Sequence, residues 1–267
     1  MHVLSKVSTA ELAEAADANF VNHASWAAAR TPGMRVLAKT ELVLVDSGLP
    51  CDTFNILCCA HLAADQAVQR IHTALALFAE VKRPFSWWVG PADQPTDLGD
   101  YLMTAGLLRA ETELAMAADL AALPSTTTMP PGLEIRRVRT EQEIAHFAQI
   151  IGDPYALRFY ELTASALLTP DAPQWFYLGY WHGQPVATAE LTLGGGVVGL
   201  YSVITLEAYR RRGIGSALTL QPLLNAREHG FYTGVLQAAA AGVGVYTRLG
   251  FKPFGNITEY KPPPATA

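Results

Sequence analysis

The sequence predicts an α/β (α+β) protein in two halves, and three observations carry that reading. Residues 133–260 alternate short apolar runs with amphipathic stretches, strand after helix. One apolar run, Val197 to Leu206, leads through Arg210-Arg211-Arg212-Gly213-Ile214-Gly215-Ser216 into an amphipathic stretch that lasts to His229. Between the halves, Leu123 to Gly132 has the composition of a linker: prolines bracket a polar tract and the apolar periodicity stops. The predicted division is 1–122, a linker at 123–132, a second domain at 133–260 and a Pro-rich flexible tail at 261–267.

The second half reads β-α-β-β-β-α-β-α-β. Leu133 to Val138 is a strand. Thr140 caps a helix with Glu143 three residues on, so Glu141 to Ile151 is helical. Tyr155 to Leu168 follows as a second helix. Trp175 to Trp181 and Val186 to Leu193 are strands around the turn His182-Gly183-Gln184-Pro185. After Gly194-Gly195-Gly196 comes the strand Val197 to Leu206. Gly213 to His229 is a helix with Ile214, Ala217, Leu218 and Leu224 near one face, and Gly230 is its C-cap. Pro222 should kink it, because proline removes a backbone bond. Thr233 to Ala239 is a strand, Val243 to Leu249 a helix, and Ile257 to Tyr260 a last strand.

The first half has helices at Glu11 to Ala29, Asp65 to Val81 and Leu98 to Ala105, with strands at Leu42 to Val45, Phe54 to Cys59, Phe85 to Pro91 and Glu111 to Ala117. Trp87, Trp88 and Phe85 read as core of a small sheet rather than a ligand-stacking surface.

Bulk properties narrow the function. A net charge of −5 argues against a general nucleic-acid binder, which needs a basic face. No apolar run is long enough to span a bilayer, so no membrane partner is expected. Met1 to Phe20 has acidic residues and no apolar core, unlike a signal peptide. Cys51, Cys58 and Cys59 are odd in number, two are adjacent, and none sits in a Cys-x-x-Cys pattern. Buried reduced thiols are expected, with no disulfide and no metal site, which suits the cytoplasm.

The segment at 210–216 carries the chemistry. Strand, glycine turn and helix start make a nest of backbone N–H groups with no intrahelical partner, at the positive end of the helix dipole. Phosphate binds such a nest, and Gly213 and Gly215 let a diphosphate approach the backbone. A triphosphate loop would need a Lys after the glycines, and none follows. The dinucleotide fingerprint would need a glycine where Leu218 stands.

Arg210, Gly213 and Gly215 fit Arg-x-x-Gly-x-Gly, which resembles the coenzyme-A pyrophosphate loop of the GNAT acyltransferases. Val203-Ile204-Thr205-Leu206 precedes it at the family's spacing, and Val245-Tyr246-Thr247-Arg248-Leu249-Gly250-Phe251 looks like the family's Tyr-x-x-x-Gly-Phe ending. Tyr101 to Leu107 echoes that ending, so the first half looks like a degenerate copy, as in tandem GNAT proteins. It lacks the loop and is expected to bind no coenzyme A.

The resemblance implies a mixed, mostly antiparallel sheet flanked by helices, duplicated, with acetyl-CoA as co-substrate and a small-molecule or peptide amine as acceptor. By resemblance, Val203, Ile204 and Thr205 would hold the pantetheine arm. Arg210, Arg211, Arg212, Gly213, Ile214, Gly215 and Ser216 would hold the pyrophosphate, and Tyr246 would protonate the leaving thiolate.

Some family members carry a base on the strand before the loop, and Gly199 stands at that position. Glu190 is the nearest carboxylate. Alternation puts it on one face with Thr188 and Thr192, either in the acceptor cleft or, the commoner case, in plain solvent. Tyr201, Asp153, Glu161 and His182 are further candidates. By resemblance the acceptor site falls on the early helices and hairpins, here Gly152 to Pro173, with the N-terminal half open as a further contributor; Pro154, Tyr155, Phe159 and Tyr160 suggest a partly aromatic pocket or, equally, core packing. Two other functions stay open: a coenzyme-A-binding sensor without catalysis, and a dinucleotide oxidoreductase. A homodimer through the first half is also open.

Overall fold

The computed structural model describes residues 7–264. The first half runs α1 (Thr9–Ser25), β1 (Arg35–Lys39), β2 (Leu42–Asp46), β3 (Ile56–Cys58), α2 (Ala67–Val81), β4 (Ser86–Val89), α3 (Leu98–Thr104) and β5 (Leu108–Asp119). The second runs β6 (Leu133–Arg137), α4 (Glu141–Ile151), α5 (Ala156–Leu167), β7 (Gln174–Trp181), β8 (Gln184–Gly194), β9 (Val197–Thr205), α6 (Ile214–Glu228), β10 (Thr233–Ala238), α7 (Val243–Arg248) and β11 (Lys252–Lys261). Of the predicted tail, Lys261 closes β11, and residues 265–267 lie outside the described residues, as do residues 1–6 of the segment read for a signal peptide.

Local chemistry sets several element ends. Thr140 and Glu143 form the predicted capping box, and Ser8 and Glu11 form another that starts α1. His182 and Gly183 both have positive φ, +47° and +84°, which makes the β7–β8 connection a two-residue hairpin turn. α6 runs unbroken through the buried Pro222.

All strands join one sheet in the order β1-β2-β3-β4-β11-β5-β10-β9-β8-β7-β6. Pairing between these strands is antiparallel except at β3–β4 and β9–β10. The halves repeat one path: three antiparallel strands, a helix, a strand parallel to the third, a short helix and a long strand. Each half places its last strand in the other's sheet. β5 lies between β10 and β11, and β11 lies between β4 and β5.

That exchange explains why β5 and β11 are longer than the predicted 111–117 and 257–260: their polar ends carry no apolar signal but pair with each other from Lys252↔Ala117 to Lys261↔Leu108. β1 was not predicted because it is exposed along most of its length and shows no apolar alternation.

On one face of the second half, α6 packs through Ile214, Ala217, Leu218 and Leu224 on Ala187, Ala189, Leu191 and Leu200. On the other, α4 and α5 cover Phe176, Leu178 and Tyr180, and α1 of the first half lies beside them across β8 and β9. The three cysteines are buried and free. Trp87 and Phe85 lie in the first half's core, and Trp88 packs half-buried on the cluster around Phe20.

Candidate active site

β9 pairs with β10 only from Val198↔Gly234 to Leu200↔Leu236, although the strands run on to Thr205 and Ala238. A bulge separates them. Between Glu190↔Tyr201 and Thr188↔Ile204, two residues of β9 oppose the single Ala189 of β8. Ser202 takes a left-handed φ of +52°, and the Thr188 hydroxyl donates to its carbonyl at 2.7 Å. The edge of β9 that faced β10 is thereby left without a strand partner over Val203, Ile204 and Thr205.

Beyond this edge the chain turns through Glu207–Tyr209 into the loop. Arg211 and Gly213 both have left-handed φ, +63° and +79°. The backbone N–H groups of residues 211–216 donate to no described group, and the first bond of α6 is Ala217 N–H to the Gly213 carbonyl at 3.1 Å. They form a cradle of free donors at a helix start.

Two of the three arginines brace the loop: Arg210 Nε donates to the Thr205 carbonyl at 3.0 Å, and Arg212 Nη2 to the Ala208 carbonyl at 3.2 Å. Arg212 also lies over the ring of Trp181, 5.4 Å from its centroid. Ile214 is buried and anchors the helix start, and Ser216 is half-buried. A Cβ at Gly215 would meet only Thr205 Oγ1, at 3.9 Å. The protein's own packing therefore does not require glycine there; the open space lies beside the free N–H groups.

Tyr246 sits on α7 against Phe251, with ring centroids 6.0 Å apart. Its hydroxyl makes no hydrogen bond among the described residues. Burial first, and the Glu113 carboxylate second, push its pKa up to about 12, so the phenol keeps its proton through the neutral range.

Glu190 is not on a solvent face. It is 2 % exposed, because α1 covers that side of β8. Its Oε1 accepts from Thr192 Oγ1 at 3.1 Å and from His23 Nδ1 at 2.9 Å. A carboxylate only accepts, so this bond places the imidazole proton on Nδ1. His23 stacks flat on Tyr201, 3.8 Å between centroids, and the Tyr201 hydroxyl donates to Asn19 Oδ1 at 2.9 Å. Asn19 Nδ2 in turn donates to the carbonyls of Thr192 and Gly194.

The same helix accounts for the missing base at Gly199: a Cβ there would collide with Asn19 Oδ1. A cavity of about 150 Å³ lies beside Glu190, between α1, the start of β3, α5 and the β9 bulge.

The other candidates are placed elsewhere or otherwise engaged. Asp153 accepts from Thr53 Oγ1 at 2.8 Å and Glu161 pairs with Arg158 on the surface. His182 occupies the β7–β8 turn. Among the described residues no three His, Cys, Asp or Glu side chains gather as a metal set.

Residues 137–251 match the family model of the acetyltransferase (GNAT) family. That segment is a GNAT-family domain, and the chain as a whole shares the fold of solved GNAT proteins. Solved structures of this fold include a GCN5-related N-acetyltransferase from Kribbella flavida, 23% identical, with a TM-score of 0.71 over 92% of this chain and 95% of that one. A GCN5-related N-acetyltransferase from Sphaerobacter thermophilus is 17% identical, with a TM-score of 0.58 over 92% of both chains. A tandem GNAT protein of the clavulanic acid biosynthesis pathway is 15% identical, with a TM-score of 0.60 over 95% of this chain and 92% of that one. GNAT proteins are acyl-CoA-dependent acyltransferases, and the two-half path of the sheet matches the tandem form.

Sequence reasoning missed three residues of the cavity. His23 and Phe54 belong to the first half and meet Glu190 and Phe159 only through the folded sheet. Gln174 opens β7 and carried no local signal. A polar residue on the buried side of α1 would have marked it as packing on something polar, and Asn19 and His23 are such residues.

Proposed function

We propose that this protein is an acetyl-CoA-dependent N-acetyltransferase acting on an amine in a ternary complex. Residues 133–260 are the catalytic domain and 1–122 a degenerate copy that supplies packing. The observation that carries the reading is the loop: free N–H groups at residues 211–216, open space at Gly215 and a splayed β9 edge leading to it.

Acetyl-CoA, when bound, supplies a thioester to the acceptor amine. The N–H groups of Arg211 to Ser216 would hold its diphosphate, with the Arg211 guanidinium free to join them. The strand edge at Val203, Ile204 and Thr205 would align its arm. A single charge at a helix start is worth about 0.3–1 kcal/mol, so convergence of several donors supplies the affinity. Tyr246 holds a proton for the departing sulfur. Glu190 provides the buried negative charge that draws an ammonium and balances the proton it loses.

Calorimetry with acetyl-CoA and a thiol-release assay over an amine panel test the reading together. Tight binding with thiol release is expected. Binding without release beyond background for any amine would instead make the protein a coenzyme-A sensor.

A further inference from the structure

We propose that the cavity beside Glu190 is the acceptor site, built for a primary amine on an apolar body about the size of one six-membered ring, with His23 of the first half taking the amine proton. The inference rests on the acetyltransferase reading and deepens it.

Size and wall chemistry set the body. The cavity is about 150 Å³. An apolar space of about 150 Å³ accepts a benzene-sized molecule. Phe54 of the first half stacks on Phe159 of the second, 4.0 Å between centroids and 4° from parallel, and Ile151, Leu167 and Phe176 continue the apolar lining.

Unmet acceptors set the head group. Gln174 lines the cavity and is 5 % exposed. Its Nε2 donates to the carbonyls of Asn22 and His23 at 3.4 and 3.3 Å, which fixes the amide's orientation. Its Oε1 is then buried with no partner. A buried acceptor in that state costs about 1–3 kcal/mol unless something meets it.

Glu190 uses only Oε1, and His23 only Nδ1, so Glu190 Oε2 and His23 Nε2 make no hydrogen bond among the described residues. An ammonium has three N–H donors, and these are three acceptors. Ser202 also lines the cavity, and the next residue, Val203, begins the splayed edge. Acceptor and thioester therefore meet at the bulge.

The proton inventory closes. His23 Nε2 takes one proton from the ammonium, while the Glu190 carboxylate holds Nδ1–H and balances the imidazolium. The nitrogen lone pair bonds to the thioester carbon, the carbon–sulfur bond breaks, and sulfur takes the Tyr246 proton. The second amine proton returns to the tyrosine through water, and the imidazolium releases its proton to solvent. The sum is one amide, one thiol and one proton.

The other titratable groups near the pair are Tyr201 on β9, Tyr160 on α5, Asp153 behind Thr53, and Asp17 on α1 itself. Both phenols are pushed well up by burial and by Glu190, and stay neutral. Asp17 is pushed up to about 7, chiefly by burial, and needs its own control.

The test uses the full chain with 2-phenylethylamine and spermidine as probes. Calorimetry on the coenzyme-A-loaded protein should show 2-phenylethylamine binding, weakened about tenfold or more by Gln174→Leu. Absent or unaltered binding overturns the site, whatever the turnover. His23→Gln should keep acetyl-CoA affinity, lower kcat about a hundredfold and flatten the acid limb of the kcat/KM profile, while Asp17→Asn keeps that limb. A wild-type profile in His23→Gln overturns the proton role. Faster turnover of spermidine than of 2-phenylethylamine overturns the apolar specificity. If the amine binds as expected but no thiol is released, the site stands and the acetyltransferase reading falls with the proton role.

Discussion

In the first half, β3 and β4 pair only at Ile56↔Ser86 and Leu57↔Trp87, and Cys59 takes a left-handed φ of +54°. In the second, β9 leaves β10 after Leu200, and Ser202 takes +52°. Both halves thus build a splayed parallel pair with a helix starting at its mouth. The first cleft is filled by its own chain: Gln94 N–H donates to the Ala60 carbonyl at 2.7 Å, and Leu62 N–H to the Gln94 carbonyl at 2.9 Å.

The Asp93 carboxylate accepts from the N–H groups of Ala60 and Gly90. Residues 90–95 therefore turn into the first half's cleft and bridge to it at His61↔Gln94 where, in the second, an edge stands free. The helix starts differ too. Ala63-Ala64-Asp65-Gln66 brings a negative charge and no glycine to α2, against Gly213-Ile214-Gly215-Ser216 at α6. One backbone device serves two ends. Where the following segment supplies donors and acceptors of its own, the cleft becomes core; where it does not, the cleft suits a ligand.

The largest effect expected concerns what the filled half is for. β5 lies between β10 and β11, so residues 130–264 alone would leave β10 with one bare edge and detach β11 from the sheet it closes. That fragment should be unfolded or insoluble by circular dichroism and yield, and co-expression with residues 1–129 should restore it. A soluble fragment with a cooperative melt would break the view that the first half persists for its strand and its helix α1.

Next comes the nest. Gly215→Asp places a carboxylate among free N–H groups at no cost in packing, since a Cβ there has room. Acetyl-CoA affinity should fall about a hundredfold or more, while Tm stays within a few degrees of the wild type. The reverse change, Asp65→Gly at the filled cleft, should create no acetyl-CoA binding, because residues 90–95 still occupy it. A second binding event in calorimetry of Asp65→Gly would show that loop chemistry alone separates the two clefts. Smaller again, Tyr246→Phe should lower kcat about a hundredfold with little change in acetyl-CoA affinity. An unchanged kcat would leave the tyrosine as packing for α7.

The open cleft was legible in the sequence because its signals are local. Arg210, Gly213 and Gly215 lie within six residues. Tyr246 carries a spacing of its own, and the apolar runs around both are contiguous. The filled cleft and the cavity were not legible, because their determinants are long-range. Asp93 meets Ala60 across thirty-three residues, and His23 meets Glu190 across a hundred and sixty-seven. Glu190 shows the limit directly. Strand alternation gave its face correctly, but nothing near it in sequence says that α1 covers that face and makes it interior. Gly199 reads in the sequence only as an absent glutamate; the Asn19 side chain against it gives the steric reason.

The smallest effect separates the clefts by pH. A Cβ on Gly90 would stand 3.2 Å from Asp17 Oδ1 and 3.7 Å from Asp93 Oδ2, so both carboxyls face one spot in the filled cleft. Burial, with Asp17 second, pushes Asp93 up to about 8; burial, with Glu14 second, pushes Asp17 up to about 7. Both values lie above the ordinary 3.8, so the folded state binds more protons than the unfolded state between 3.8 and about 8. Stability therefore falls as pH rises through that window, and the contribution is complete only below the unfolded value.

Asp17 Oδ2 has no partner, so Asp17→Asn removes an ionisation and little else. The wild type should lose stability to denaturant between about pH 4 and pH 8, and Asp17→Asn should shrink that loss by on the order of 1–2 kcal/mol. Asp93→Asn would replace one of two accepting oxygens with a donor facing an N–H, and should destabilise at every pH. Equal pH slopes for the wild type and Asp17→Asn would mean the filled cleft is wetter than its packing implies, and closer in character to the open one.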